Sequence, residues 1–308
     1  MGFENRHSWT PLLIRYCYSD GGNNSSLFSV SGCCTSMSRM TYQTLNLTLD
    51  ARGVMTVALN RPEIRNAFNE VMIEELSRVF RIDAVAPEVR AIVLRGEGSV
   101  FCAGGDLNWM GRSVDLSFEE NLKDTRNLTQ MFALMNECSR PVIGLVQGAA
   151  IGGGVGLVSV CDIVLASAEA QFSLSEVRLG IVPACIGPFV VAKIGASQAR
   201  RLFISADRFS TELAYEIGLI HEIVPNAAGL DQALARILGN ILTCGPHAIA
   251  IAKRLVLDLS WPERRDRLSD ALEYASKTLA ELRISPEGQE GVRAFLERRK
   301  PTWLPNVT

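Results

Sequence analysis

Short apolar runs rich in β-branched residues alternate with longer helical stretches from Met40 onward, and this alternation constrains the fold of the 308-residue chain more than any other feature. Val54 to Leu59, Ala91 to Leu94, Val142 to Val146 and Asp162 to Ala166 read as strands. Between them, Asn69 to Arg81 and Glu119 to Glu137 carry apolar residues at helical spacing. Ser117, with Glu120 three residues on, has the capping-box pattern, and Pro141 ends that helix and its loop. Strands alternating with helices predict a layered α/β core.

After about residue 205 strands almost disappear from the pattern. Amphipathic helices are expected at Thr211 to Ile217, Leu230 to Leu242, Pro246 to Leu257, Glu263 to Leu282 and Pro286 to Arg299. Ser285 supplies an N-cap to the last of these, with Pro286 at the first helical position, where its missing N–H costs nothing. The expected organisation is an N-terminal extension over residues 1–40, an α/β core over 41–205 and a helical region over 206–308. Residues 1–40 are rich in Ser, Asn and Gly and carry Arg6, Arg15 and Arg39, a weak match to an organellar transit peptide against which Glu4 and Asp20 count. The alternative is that Met37 or Met40 is the working start, and the expected location is the cytoplasm, or the mitochondrial matrix if the extension is a transit peptide.

Charge and cysteine usage narrow the function. A formal net charge of -2 offers no broad electropositive surface, so nucleic acid is not the expected partner. The compact basic run Arg298, Arg299, Lys300 reads either as an anion site or as a solvated helix end. Eight cysteines without a Cys-x-x-Cys pair give neither a zinc site nor a disulfide framework, so a reducing compartment is expected. His7, His221 and His247 lie far apart with no metal-ligand spacing, and no Gly-x-Ser-x-Gly elbow accompanies them. No stretch approaches the roughly 20 apolar residues that span a bilayer, so no membrane partner is expected.

Three segments carry the candidate chemistry. Phe101-Cys102-Ala103-Gly104-Gly105-Asp106-Leu107 follows the strand ending near Leu94, and its paired glycines let backbone N–H groups approach a ligand; a tight turn is the other reading. Gly148-Ala149-Ala150-Ile151-Gly152-Gly153-Gly154-Val155-Gly156 reads as a glycine-rich helix start, whose unpaired N–H donors suit a developing oxyanion. It is neither a Walker A loop nor a Gly-x-Gly-x-x-Gly fingerprint. Glu176 lies in an apolar segment, Phe172 to Pro183, where desolvation would raise its pKa and suit it to proton transfer; taken alone it would more often be a paired surface residue, and only the conjunction of the three segments favours the functional reading.

In this order and spacing the three segments resemble the enoyl-CoA hydratase/isomerase, or crotonase, superfamily over roughly residues 41 to 304. Asn60-Arg61-Pro62 and Asn66-Ala67-Phe68 are similar to the family's early CoA-binding segment, and Phe295 to Lys300 to its C-terminal helix. The resemblance implies an α/β, crotonase-like spiral of repeated β-β-α units with a C-terminal helical trimerisation region, assembled as a homotrimer or dimer of trimers. It implies that the N–H groups of Gly105 and Gly153 hold the enolate oxygen of an acyl-CoA substrate. It places Asn66, Ala67, Ala103, Asp106 and Leu107 along the CoA, mostly through backbone atoms, and Arg298 near the CoA phosphates. Coenzyme A enters as part of the substrate, so no separate cofactor and no metal is expected.

The departure from the family is Gly156, where hydratases of this kind carry the first of two active-site glutamates; the second is kept as Glu176. An isomerase needs only the retained carboxylate. The segments Gly153 to Val158 and Leu174 to Gly180, with Glu281-Leu282-Arg283 and Glu287 to Gly291, instead look like bacterial methylglutaconyl-CoA hydratases of leucine catabolism. The expected activity is hydration of a 2-enoyl-CoA; the alternatives are a Δ3,Δ2-enoyl-CoA isomerase, another crotonase reaction such as thioester hydrolysis, or a non-catalytic scaffold. A distal carboxylate on the substrate would call for a cation, for which Arg178 is the candidate, against the reading of an exposed loop charge.

Overall fold

The computed structural model describes residues 41–83, 87–112, 115–260 and 285–304. The expectations for residues 1–40, for a helix over Glu263 to Leu282 and for the Glu281-Leu282-Arg283 motif lie outside the described residues.

Two layers of strands organise the fold. In the larger sheet, β1 (Leu45–Leu49) pairs antiparallel with β2 (Val54–Leu59). Parallel pairing then continues through β3 (Ala91–Gly96), β4 (Val142–Val146), β6 (Ile163–Ser167) and β9 (Glu222–Val224), in that spatial order. Every residue of β4 is buried, which is why that strand reads as a continuous apolar run rather than an alternating one. On one face Val54, Ala91, Val93, Ile143, Leu145 and Leu165 pack with Leu230, Ala233 and Leu238 of α7 (Ala227–Ile241). Full burial of a leucine or isoleucine there contributes roughly 1.5–3 kcal/mol.

After β2, β3, β4 and β6 of the larger sheet the chain crosses to a second layer and then enters a helix. From β2 it reaches Phe68 and then α1 (Glu70–Asp83); from β3 it reaches Cys102 and Gly105, then α2 (Leu107–Arg112) and α3 (Phe118–Glu137). From β4 it passes to β5 (Ala149–Ile151) and α4 (Gly153–Ser159). From β6 it passes to β7 (Gln171–Ser173), a 3-10 turn at Glu176–Leu179 and α5 (Gly187–Ser205). Bridges Phe68 to Gly105 and Cys102 to Ala150, the β5–β7 ladder and the antiparallel pairing of β7 with β8 (Arg208–Ser210) run through this second layer. These are the β-β-α units of a crotonase-like spiral. Their second-layer segments bring three distant parts of the sequence side by side.

The expected capping box is present: Ser117 Oγ accepts from the Glu120 N–H, and the Ser117 N–H donates to Glu120 Oε2. Two strands of three residues each do lie beyond residue 205, however. β8 joins the second layer, β9 adds to β6 after α6 (Thr211–Glu216), and α7 covers the larger sheet. Beyond α8 (Pro246–Ser260), the C-terminal α9 (Pro286–Leu296) docks through Glu287, whose carboxylate accepts the N–H groups of His247 at 3.0 Å and Ala248 at 2.7 Å. Among the described residues no single helix is long and apolar enough to cross a membrane.

Candidate active site

The three segments singled out in the sequence converge where second-layer strands end and helices begin. Gly152 follows β5, donates its N–H to Ser173 O of β7 at 2.7 Å, and caps α4 with φ 53, a left-handed value that glycine tolerates without a Cβ clash. The loop with Gly104 packs against this turn: a Cβ on Gly104 would stand 2.8 Å from Ile151 O and 3.6 Å from Gly153 N. The neighbouring N–H groups are engaged: Phe68 N donates to Gly104 O at 2.9 Å, and Asp106 N to Phe68 O at 3.0 Å. Among the described residues, the N–H groups of Gly105 and Gly153 donate to no protein acceptor, and both residues are only partly buried.

Glu176 begins the 3-10 turn that follows β7, and its carboxylate lies over Gly152. A Cβ built there would be 3.0 Å from Glu176 Oε1. Oε2 is buried and, among the described residues, has no hydrogen-bond partner. Burial pushes the Glu176 carboxyl above the usual carboxylate range, opposed only in part by its own backbone N–H. A carboxylate with one oxygen unpartnered and a raised pKa, near two free N–H donors, can move a proton while the donors hold developing negative charge. Thiol chemistry does not compete. The nearby Cys102 is buried, and burial pushes its thiol up to about 12.

The walls are apolar. Phe68 lies against Gly153, where a Cβ would come within 2.2 Å of its ring. From Phe68 an aromatic series runs to Trp109 in one direction and through Phe132 to Phe189 in the other, with ring centroids 6.1 to 6.5 Å apart. Gly156, within α4 and four residues beyond Gly152, is closed by Ile186: a Cβ at this position would be 2.2 Å from Ile186 Cγ2 and 3.0 Å from Phe132. No side chain fits at position 156 unless Ile186 moves. Neither Ile186 nor the aromatic series was singled out in the sequence, because their role depends on partners far along the chain.

The residues expected along the CoA divide into two groups. Leu107, 81% exposed, and Ala103, half-buried, stand open at the loop. Asn66, Ala67 and Asp106 are buried and engaged within the protein. Asn66, at φ 55, accepts from Arg61 N and donates to Glu97 O and Val100 O; Ala67 O accepts from Arg61 Nη1. Asp106 pairs with Arg61 at 2.8 Å. Its burial would raise its pKa, but the Asn108 N–H, Arg61 and the Trp109 N–H outweigh that and hold it below the usual carboxylate range. Arg298 falls outside its expected helix, which ends at Leu296. It is exposed, with φ 52, and among the described residues makes no hydrogen bond or ion pair, whereas Arg299 pairs with Glu290 and Glu297. Arg178 is exposed, and its Nη2 donates to Ala206 O at 3.1 Å. Surface clefts of about 420 Å³ between α1 and α3 and about 520 Å³ along α5 contain none of these residues, so the site is defined by its chemistry rather than by cavity volume.

This geometry, a spiral whose second layer sets backbone donors beside one buried carboxylate, is accompanied by direct similarity. The model of the family described as "Enoyl-CoA hydratase/isomerase" matches residues 50–306, and the chain belongs to that family. A crystal structure of an enoyl-CoA hydratase from Shewanella pealeana is similar with a TM-score of 0.81 and 37% identity, over 85% of this chain and 96% of that one. The 2,3-dehydroadipyl-CoA hydratase of Escherichia coli is 30% identical over 80% of this chain and 94% of its own length. A peroxisomal Delta(3,5)-Delta(2,4)-dienoyl-CoA isomerase of Arabidopsis thaliana is 29% identical over 86% of this chain and 98% of its own.

Proposed function

We propose that the protein hydrates a 2-enoyl-CoA thioester using Glu176 as its single acid and base. The observation that carries this reading is the Glu176 carboxylate, unpartnered at Oε2 and raised in pKa, over the glycine turn that presents the Gly153 N–H. Water attacks C3 of the enoyl group as Glu176 takes one of its protons. The double-bond electrons shift into the thioester, and the enolate oxygen is received by the N–H groups of Gly105 and Gly153. The proton held on Glu176 returns to C2, so one water is added and the carboxylate is restored. Coenzyme A is carried by the substrate, and the reaction uses no separate cofactor.

The methylglutaconyl thioester is the acyl group assigned for testing, supported by the resemblance across Gly153 to Val158 and Leu174 to Gly180. Hydration in ¹⁸O-labelled water is expected to place the label on C3 of a 3-hydroxyacyl product. The isomerase reading is favoured by the closure of position 156 and by the dienoyl-CoA isomerase relative. Conversion of 3-enoyl-CoA to 2-enoyl-CoA with no labelled hydroxyl on any substrate would decide for it. Assembly as a trimer or dimer of trimers belongs to the same reading, supported by exposed Leu179, Ile181, Val182 and Ile204, and sedimentation tests it.

The two donor glycines should respond differently to substitution. Gly105→Ala places a Cβ 3.1 Å from Met110 Sδ, the end of a flexible side chain, so it should fold normally and keep much of its turnover. Gly153→Ala must displace the buried Phe68 ring and should lower both the melting temperature and turnover. Adding Phe68→Leu is expected to recover stability before activity. Equal thermal stability of Gly153→Ala and wild type would contradict this packing.

A further inference from the structure

We infer that Arg61 is a positioning residue that aims the Gly105 N–H at the thioester oxygen, an inference resting on the reading of Gly105 as an oxyanion donor. Arg61 precedes the 3-10 turn Pro62–Ile64, distant in sequence from Gly105, yet its guanidinium joins the two segments that flank that glycine. Nη2 donates to Asp106 Oδ2 at 2.8 Å and Nη1 to Ala67 O at 2.7 Å. Both side chains of the ion pair are largely withdrawn from solvent, at 18% and 9% exposure, so the contact is weakly screened and geometrically tight.

The other oxygen of Asp106 turns toward α2. Oδ1 accepts the N–H of Asn108 at 2.8 Å and of Trp109 at 3.4 Å, so one carboxylate fixes the start of the helix on one side and the guanidinium on the other. Arg61 is itself held, because its backbone N–H donates to Asn66 Oδ1 at 2.9 Å while Asn66 Nδ2 ties down Glu97 O and Val100 O. The peptide groups beside Gly105 are locked by the paired Phe68 bonds. Among the described residues the Gly105 N–H is left without an acceptor; its own peptide plane is held through Gly104 O by the Phe68 N–H, and the next peptide is anchored at Asp106, which Arg61 fixes, so the two anchors together set its direction. A guanidinium suits the task because its planar fork reaches a carboxylate and a carbonyl at fixed angles, which an ammonium cannot reproduce.

The test is optical as well as kinetic. A CoA thioester carrying a 4-dimethylaminocinnamoyl chromophore absorbs at longer wavelength when hydrogen bonds polarise its carbonyl, so its shift on binding reports the oxyanion donors directly. The wild type should give a clear red shift. Arg61→Gln should bind the thioester with a KM within a few-fold of wild type, show less than half of the shift, and lose roughly 100-fold in kcat, the scale of a small misplacement of a reacting group. Arg61→Lys should recover part of both, and Asp106→Asn should reproduce the loss without adding to it in the double variant. Should Arg61→Gln not fold, Arg61→Lys and Asp106→Asn carry the same comparison. A full red shift and full kcat in folded Arg61 and Asp106 variants would overturn the inference while leaving the oxyanion reading intact. A wild type that binds the probe with no shift would overturn the oxyanion reading, and the inference with it.

Discussion

Glu176→Gln is expected to lower turnover by roughly two to four orders of magnitude, the usual contribution of a positioned acid or base. Thioester binding should change little, because the amide keeps the volume and the Gly105 and Gly153 N–H groups are untouched. The same substitution should raise stability near neutral pH. The folded-state pKa of Glu176 is raised by burial, so the folded protein holds this proton more tightly than the unfolded chain does. Stability from this group is therefore present at low pH and is lost as pH rises through the unfolded-state value toward the folded-state one. Above that window wild type carries a desolvated carboxylate that the Gln variant lacks. Melting temperatures of the two proteins should converge in acid and separate, with the variant higher, at neutral pH. Activity of the wild type should fall on the acid side along a limb displaced upward from an ordinary carboxylate. A Gln variant that keeps most of its turnover would remove Glu176 from the mechanism.

The parts of this molecule that could be read from sequence are those whose cause is local. β2, β3, β4 and β6 were legible because strands buried largely on both faces are written as mostly apolar, β-branched runs. The capping box of α3 was legible because its two bonds join residues three apart. β5, β7 and β8 were not, since three residues carry too little pattern and each exists through a partner elsewhere in the chain. The glycine-rich run was recognised as a backbone site, but Gly153 and Gly156 are glycines for reasons invisible in the run itself: Phe68 and Ile186 occupy the space beside them. Asn66 and Asp106 were placed along a ligand from resemblance. Their side chains prove to be committed to Arg61 and to backbone groups, which only the tertiary fold brings within reach.

Gly156→Glu alone should be the most damaging single change at this site, and Ile186 is the reason. A glutamate at position 156 puts a Cβ 2.2 Å from Ile186 Cγ2, with Phe132 at 3.0 Å, among residues that are almost fully buried. Overpacking of this kind costs about 1–3 kcal/mol, and a carboxylate forced into an apolar wall adds its desolvation. The single variant should therefore unfold at markedly lower temperature and lose its activity. Gly156→Glu combined with Ile186→Gly removes the closest obstruction, leaves Phe132 as the tight neighbour, and sets a second carboxylate four residues beyond Gly152, the glycine beside which Glu176 lies. Ile186→Gly by itself leaves a cavity and is destabilising, so a double variant more stable than the sum of its parts would reveal a direct coupling between the two positions. Its pH–rate profile should also gain a second ionisation absent from wild type, because two neighbouring carboxylates do not titrate independently. Additive destabilisation, or a Gly156→Glu protein as stable as wild type, would show that Ile186 does not close position 156.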